Sequence, residues 1–225
     1  MTDSRSRIMG RLKTALDKIH NPTVRVSGAD QRIRAPQPPL LPKRGQSEGI
    51  ARIEMFIDEA ERVHTQVMRL DAMKDVPAAL QSICNDVGAA AIKAAPHPTL
   101  QGLDWSGQNV AFGIGHGDDA VGLSFAYGGV AETGTLVMRA RAISPTTLNF
   151  LPDTHVVVIL ASSIEANYEA VWDRLRADAT VGEPVLGRTI NWITGPSRTA
   201  DIEQTILLGA HGPRKLVILV VDETA

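Results

Sequence analysis

The sequence predicts an α/β fold: an open, mostly parallel sheet covered by helices, preceded by a helical and proline-rich extension. Three observations predict it. Short apolar runs recur after Gly88, separated by glycine-rich turns, at Val110 to Phe112, Leu123 to Tyr127, Thr135 to Met138, Val156 to Ala161 and Leu216 to Val221. The last two are apolar at every position, as strands covered by helices on both faces must be. Between them Ser163 to Leu175 has helical periodicity, so β and α alternate.

Taken from the start, Ile8, Leu12, Ala15, Leu16 and Ile19 recur at three- and four-residue steps and form an amphipathic helix from Ser4 to Ile19, which Asn21-Pro22 stops. From Pro22 to Arg44 there are four further prolines and five basic residues with almost no apolar periodicity, which favours an extended strap. Such a strap either grips an acidic partner or lies solvated on its own domain. A second helix is expected from Ser47, its cap, to about Arg69, and a third from Pro77 to Asn85. These features divide the chain into an extension, 1–46, and an α/β domain, 47–225.

Composition narrows the function classes. A net charge of −2 over 225 residues gives no field that would gather nucleic acid or anionic lipid, so no nucleic-acid partner is expected. The longest apolar runs are six residues, as in Leu216 to Val221, whereas a membrane span needs about twenty and a secretory signal core at least seven. No membrane span is expected, and the expected compartment is the cytoplasm. Cys84 is the only cysteine, so these residues alone build neither a disulfide nor an iron–sulfur cluster. His20, His97, His116, His155 and His211 lack metal-ligand spacing, and Glu61 with His64 has no second pair to complete a di-iron site. No metal and no cofactor are expected.

Gly115-His116-Gly117-Asp118-Asp119-Ala120 has the form of a dinucleotide loop, but two aspartates stand where a pyrophosphate needs positive potential and the following residues read as strand. It is read as an acidic turn. Two other segments carry more chemistry. In Gly128-Gly129-Val130-Ala131-Glu132-Thr133-Gly134-Thr135, glycines permit a sharp turn or a close ligand approach. Glu132 is either an acid, base or nucleophile in a desolvating cleft, or an acceptor for the backbone of its turn. From Gly195 to Glu203, Ser197 and Thr199 suit the start of a helix that Gly209 ends, with Asp201 and Glu203 in its first turn. With Arg198, that helix start either binds a carboxylate or phosphate or is merely capped.

Four segments in order along the chain, Ala131-Glu132-Thr133-Gly134-Thr135-Leu136, Leu151-Pro152-Asp153-Thr154-His155, Gly195 to Glu203 and Leu208-Gly209-Ala210-His211-Gly212-Pro213, resemble the hallmarks of the lactate utilisation protein C family (LutC/YkgG, the LUD domain). The resemblance is sharp from about Gly128 to Asp222. It implies a sheet similar to NagB/RpiA/CoA-transferase-like folds and a role in oxidising L-lactate to pyruvate beside iron–sulfur oxidoreductase subunits. The resemblance places Glu132, Ser197, Arg198, Asp201, His211 and Gly212 around a shared cleft without giving them roles; the chemistry of the two segments makes Glu132 the candidate catalytic residue, with Gly129, Thr133, Gly134, Ser197, Arg198, Thr199, Asp201, His211 and Gly212 as candidate substrate-binding positions. A small carboxylate or phosphate is the expected ligand. The alternative, by fold analogy, is a free-standing transferase or isomerase acting on a small activated acid, CoA ester, folate or sugar phosphate. A third reading is a regulatory module sensing a carboxylate metabolite.

Overall fold

The computed structural model describes residues 3–19, 22–35, 40–179, 188–199 and 207–222. The chain divides into two compact units, Met1–Leu40 and Leu41–Ala225. The first holds α1 (Ser4–Ile19) and α2 (Pro22–Arg34). The second continues with α3 (Gly49–Arg62), β1 (Gln66–Leu70), α4 (Val76–Val87), β2 (Ile92–Ala94), α5 (Pro98–Gln101), β3 (Val110–Phe112) and β4 (Val121–Phe125). It then runs through β5 (Gly128–Val130), β6 (Thr135–Arg139), β7 (Thr154–Leu160), β8 (Ile164–Glu165), α6 (Tyr168–Ala177), β9 (Ile190–Ile193), β10 (Arg198–Thr199), β11 (Leu207–Leu208) and β12 (Lys215–Val221).

The main sheet has the order β1-β12-β7-β4-β2-β3, and every pairing in it is parallel. The all-apolar runs form β7 and β12, both with neighbours on each side. Their residues alternate between two cores. Val156, Val158, Val217 and Leu219 face α4 and α5, packing against Leu80, Ile83 and Leu100. Val157, Ile159, Ile218 and Val220 face the other way, onto Phe56 and Ala60 of α3 and onto Leu136 and Met138 of β6. Each such fully buried side chain contributes roughly 1.5–3 kcal/mol, so the two strands hold both layers to one sheet.

A second sheet, order β8-β5-β6-β9, lies beyond that second core. It combines antiparallel β5·β6 and β6·β9 pairs with a parallel β5·β8 pair. Its outer face carries Val130 and Val137 against Val171 and Leu175 of α6. Strand β6 is therefore buried on both faces, which explains its apolar run. Asn167 starts α6, its side chain accepting from the Ala170 N–H at 2.8 Å.

Four expected elements differ. Part of the supposed extended strap is helix α2, with Pro22 at its first position, where no N–H is needed, and Arg32 and Arg34 in the last turn beside the carbonyl end. Pro36, Pro38 and Pro39 lie outside the described residues. The second helix stops at Arg62 instead of Arg69. His64 takes a left-handed conformation (φ +65°), and the Thr65 N–H closes back on the Ala60 carbonyl at 3.1 Å. Residues 66–70 then pair with β12 as an edge strand, because the sheet offers them five ladder positions that a longer helix would forgo. Ser47 makes no cap; Glu48 holds that position without a side-chain bond. The helix expected from Ser163 begins only at Tyr168, since Ile164–Glu165 join β5 as β8. Finally, Ser197 and Thr199 start no helix. Arg198–Thr199 pair antiparallel with Leu207–Leu208, and 200–206, including Asp201 and Glu203, lie outside the described residues.

The loop 115–120 is a turn leading into β4, with Asp119 Oδ2 accepting from the His116 N–H at 2.6 Å. No helix follows it, as the acidic-turn reading requires. Among the described residues no helix is long and apolar enough to cross a membrane.

Candidate functional site

Between β5 and β6 the segment Ala131–Thr133 makes one 3-10 turn, and Gly134 returns the chain at φ +62°. The glycines here serve close packing. A Cβ on Gly134 would stand 2.6 Å from Glu59 C and 2.7 Å from Ala60 Cα, and closer still to Ala60 N, inside the backbone of α3. One on Gly129 would stand 2.8 Å from Phe56 Cε2 and 2.9 Å from Ile159 Cδ1. Both glycines seat the second sheet under α3.

Glu132 is half-buried in this turn. Its Oε1 accepts from the Tyr168 N–H at 3.3 Å, at the first residue of α6, where a carboxylate complements the helix dipole. Its own N–H donates to the Ala166 carbonyl at 3.2 Å, and its carbonyl accepts from Arg44 Nη2. Residues 43–46 cross over it. Asn167 Nδ2 donates to the Gly45 carbonyl at 2.6 Å, and a Cβ on Gly45 would come within 3.0 Å of Glu132 Oε2. Glu132 thus joins three segments.

Ser197, Arg198, His211 and Gly212 do come together. With Asn149, Phe150, Trp192 and Thr194 they line a depression of about 260 Å³. The Ser197 N–H donates to the Pro213 carbonyl at 2.9 Å, and the Gly209 N–H to the Ser197 carbonyl at 3.0 Å. The His211 N–H reaches Ser197 Oγ at 3.4 Å, while Arg198 Nη2 donates to the Val63 carbonyl at 2.6 Å. Glu132 does not line this depression. What connects the two is a run of hydroxyls: Thr133 Oγ1 to Thr135 Oγ1, and Thr135 Oγ1 to Thr194 Oγ1, each 2.7 Å, with Tyr168 OH 3.1 Å from both Thr133 and Thr135.

A second cleft, of about 280 Å³, was not expected from the sequence. It is lined by His97, Phe125, Ala126, Tyr127, Arg139, Arg141, Ile143, Ser144 and Arg174. His97 stacks on Phe125 with centroids 4.4 Å apart and planes 9° apart, and burial lowers its imidazole pKa. Arg174 and Arg139 stand over the Tyr127 ring at 4.2 and 5.8 Å. Arg174 also donates to the Ser163 and Tyr127 carbonyls and pairs with Glu165 at 3.4 Å. Tyr127 OH donates to Asp178 at 2.6 Å, and burial raises its pKa. The one local signal was the pair Arg139 and Arg141 closing an otherwise apolar strand, which the sequence reading ended at Met138.

Among the described residues, His155 and Cys84 are titratable side chains buried on the main sheet and on α4. His155 on β7 is fully buried, with one ring nitrogen 3.0 Å from Ser124 Oγ, and burial lowers its pKa to about 3. Cys84, on α4, is buried and its thiol pKa is pushed up.

Residues 117–221 match the LUD domain. The match runs from the acidic turn to the end of β12, taking in every lining residue of the Ser197 depression and, apart from His97, of the arginine-lined cleft. Proteins named Lactate utilization protein C are among the relatives: that of Geobacillus thermodenitrificans is 35% identical over 103 residues, 46% of this chain and 42% of that protein. That of Bacillus velezensis is 33% identical over 121 residues, 53% of this chain and 50% of that protein. These alignments span about half the length of those relatives. A longer alignment, 27% identical over 190 residues, covers 76% of this chain and 78% of the protein of the same name from Geobacillus sp. WCH70. The likeness to the lactate utilisation protein C family read from the sequence motifs is thus supported. In fold, the chain is similar to a DUF162 family protein from Deinococcus radiodurans, with a TM-score of 0.58 at 21% identity, covering 78% of this chain and 99% of that one.

Proposed function

We propose that this chain serves L-lactate utilization, in which L-lactate is oxidised to pyruvate, as a subunit acting beside an iron–sulfur oxidoreductase. The observation that carries the reading is the match of residues 117–221 to the LUD domain together with relatives named Lactate utilization protein C. Chemistry supports a division of labour. Oxidising lactate releases two electrons, and the sole thiol of this chain is buried on α4 with a raised pKa, unsuited to metal or disulfide exchange. The electrons then pass to a centre on the partner. In this reading the depression formed by Ser197, Arg198, His211 and Gly212 is a binding position, and the Thr133–Thr135–Thr194 hydroxyls tie it to Glu132.

Deleting the gene in a strain with no other lactate dehydrogenase is expected to abolish growth on L-lactate and to leave growth on pyruvate unchanged. Normal growth on lactate overturns the reading. The free-standing transferase or isomerase then leads, favoured by the arginine-lined cleft at the sheet's carboxyl edge.

A further inference from the structure

The main sheet has a point where its connections part. From β2 the chain leaves toward β3 at one edge, whereas from β4 it leaves toward β7 in the other direction, and β2 and β4 are neighbours. In open α/β sheets the crevice at the carboxyl ends of two such strands is where ligands bind. Here that crevice is filled by residues from both strand ends: His97, three residues past β2, and Phe125 and Tyr127, at and just past the end of β4.

Charge defines what the crevice accepts. Its lining contributes three guanidiniums, Arg139, Arg141 and Arg174, and no carboxylate. Glu165 and Asp178, which engage Arg174 and Tyr127, stand outside the lining. Arg174 is fixed by the Ser163 carbonyl and the face of Tyr127, and Arg139 is 8% exposed above the same ring. Arg141 sits on the turn that bridges back to Ser144, is exposed, and makes no ion pair among the described residues. A single sign of charge against low-dielectric walls concentrates the opposite charge. The guanidinium fork fits a planar oxyanion with two parallel hydrogen bonds. The remaining wall is apolar, from Phe125, Ala126 and Ile143, with the His97 ring stacked flat on Phe125. An inorganic anion would leave that wall uncovered; an organic acid covers it with its carbon body. At about 280 Å³ the space is just below the roughly 300–1,000 Å³ of ligand sites, which suits a small metabolite and excludes a dinucleotide.

We propose that the cleft between the ends of β2 and β4 binds a small organic carboxylate, with Arg141 contacting its oxyanion and Arg139 and Arg174 supplying fixed positive potential behind it. This site is separate from the Ser197 depression, shares no lining residue with it, and stands without the lactate reading.

Calorimetric titration of the purified full chain tests it, using pyruvate, L-lactate, 2-oxoisovalerate and inorganic phosphate as probes at matched ionic strength. At least one carboxylate is expected to bind saturably, ahead of phosphate. Arg141→Ala weakens that binding roughly tenfold or more, and Arg141→Lys, which keeps the charge but loses the fork, weakens it less. Arg176→Ala, an exposed position on α6, leaves it unchanged. Because Arg141 is exposed on a turn, both of its variants should fold, which unchanged far-ultraviolet circular dichroism would verify. Absence of saturable binding by every carboxylate overturns the proposal. So does binding that survives both Arg141 substitutions, which would put the anion elsewhere, and so does a preference for phosphate. None of these outcomes bears on growth on lactate, so the two readings fail separately.

Discussion

Replacing Gly134 by alanine separates a packing glycine from one kept open for a ligand. At φ +62° the added methyl strains the backbone by roughly 1–2 kcal/mol, the cost of a left-handed residue with a Cβ. It also lands 2.6 Å from Glu59 C and 2.7 Å from Ala60 Cα, well inside the roughly 3.5–4.0 Å at which carbon atoms attract. Both neighbours are backbone, so no rotamer change relieves the clash. Helix α3 would have to move outward by roughly 1 Å, carrying with it Phe56 and Ala60, which are wholly buried. Overpacking of this kind costs about 1–3 kcal/mol, so the expected loss is about 2–5 kcal/mol, a large part of an ordinary domain's stability. Gly88→Ala provides the reference. Gly88 has nearly the same φ, +67°, but nothing lies within 4 Å of its Cβ position, so only the backbone strain remains. Urea denaturation followed by tryptophan fluorescence measures both. A loss in Gly134→Ala within about 0.5 kcal/mol of that in Gly88→Ala, near the usual error of such comparisons, refutes the packing argument. Unchanged stability with impaired lactate growth would instead support a glycine kept for ligand approach.

Two further perturbations follow from the same geometry. Glu132→Gln keeps an acceptor for the Tyr168 N–H but removes the charge at the start of α6, so urea titration should show a loss of about 0.3–1 kcal/mol; a severe loss of lactate growth without this stability change would assign Glu132 to chemistry instead. For His155, whose pKa falls from 6.5 to about 3 on folding, the unfolded chain takes up a proton that the folded one refuses. Stability is therefore fully present above pH 6.5 and declines by about 1.4 kcal/mol per pH unit as pH falls toward 3, with His97 adding in the same direction. His155→Leu should flatten that slope by about one proton between pH 6 and 4, and an unchanged slope counts against a neutral buried imidazole.

The parts of the fold legible in the sequence are those whose side chains see one environment throughout. Strands β7 and β12 are buried on both faces, so an unbroken apolar run announces them. Strand β1 was not legible. Its burial alternates irregularly between half-buried and exposed, and Gln66-Val67-Met68-Arg69-Leu70 continues a helical pattern equally well; only the free edge of β12 decides between them. Helix α2 was hidden by composition, because prolines on either side dominated the reading of a segment that contains none between Pro22 and Pro36. Of the candidate site, Ser197, Arg198, His211 and Gly212 were recognised through motif order and do share a depression. The arginine-lined cleft was not. Its residues at 97, 125–127, 139–144 and 174 have no common spacing, and only the parting of β2 and β4 brings them together.

The four motifs converge for a reason that does not require catalysis. Gly134 of the first packs on Ala60, and Gly195 of the third, at φ +79°, would place a Cβ 2.8 Å from the Val63 carbonyl, which also accepts from Arg198. Both therefore lock the end of α3. The third and fourth motifs hydrogen-bond through Ser197, Gly209 and Pro213, and the Arg214 N–H beyond the fourth donates to the Asp153 carbonyl of the second at 2.9 Å, setting the register in which β12 enters beside β7. A motif set that joins α3, the second sheet and the β7·β12 pair fixes how the two sheets meet. The position of the arginine cleft depends on that joint, because Tyr127 and Arg139 come from the second sheet's side of it and His97 and Phe125 from the main sheet. The recognisable sequence signature thus holds the frame, and the charge that selects a ligand is carried by residues outside all four motifs.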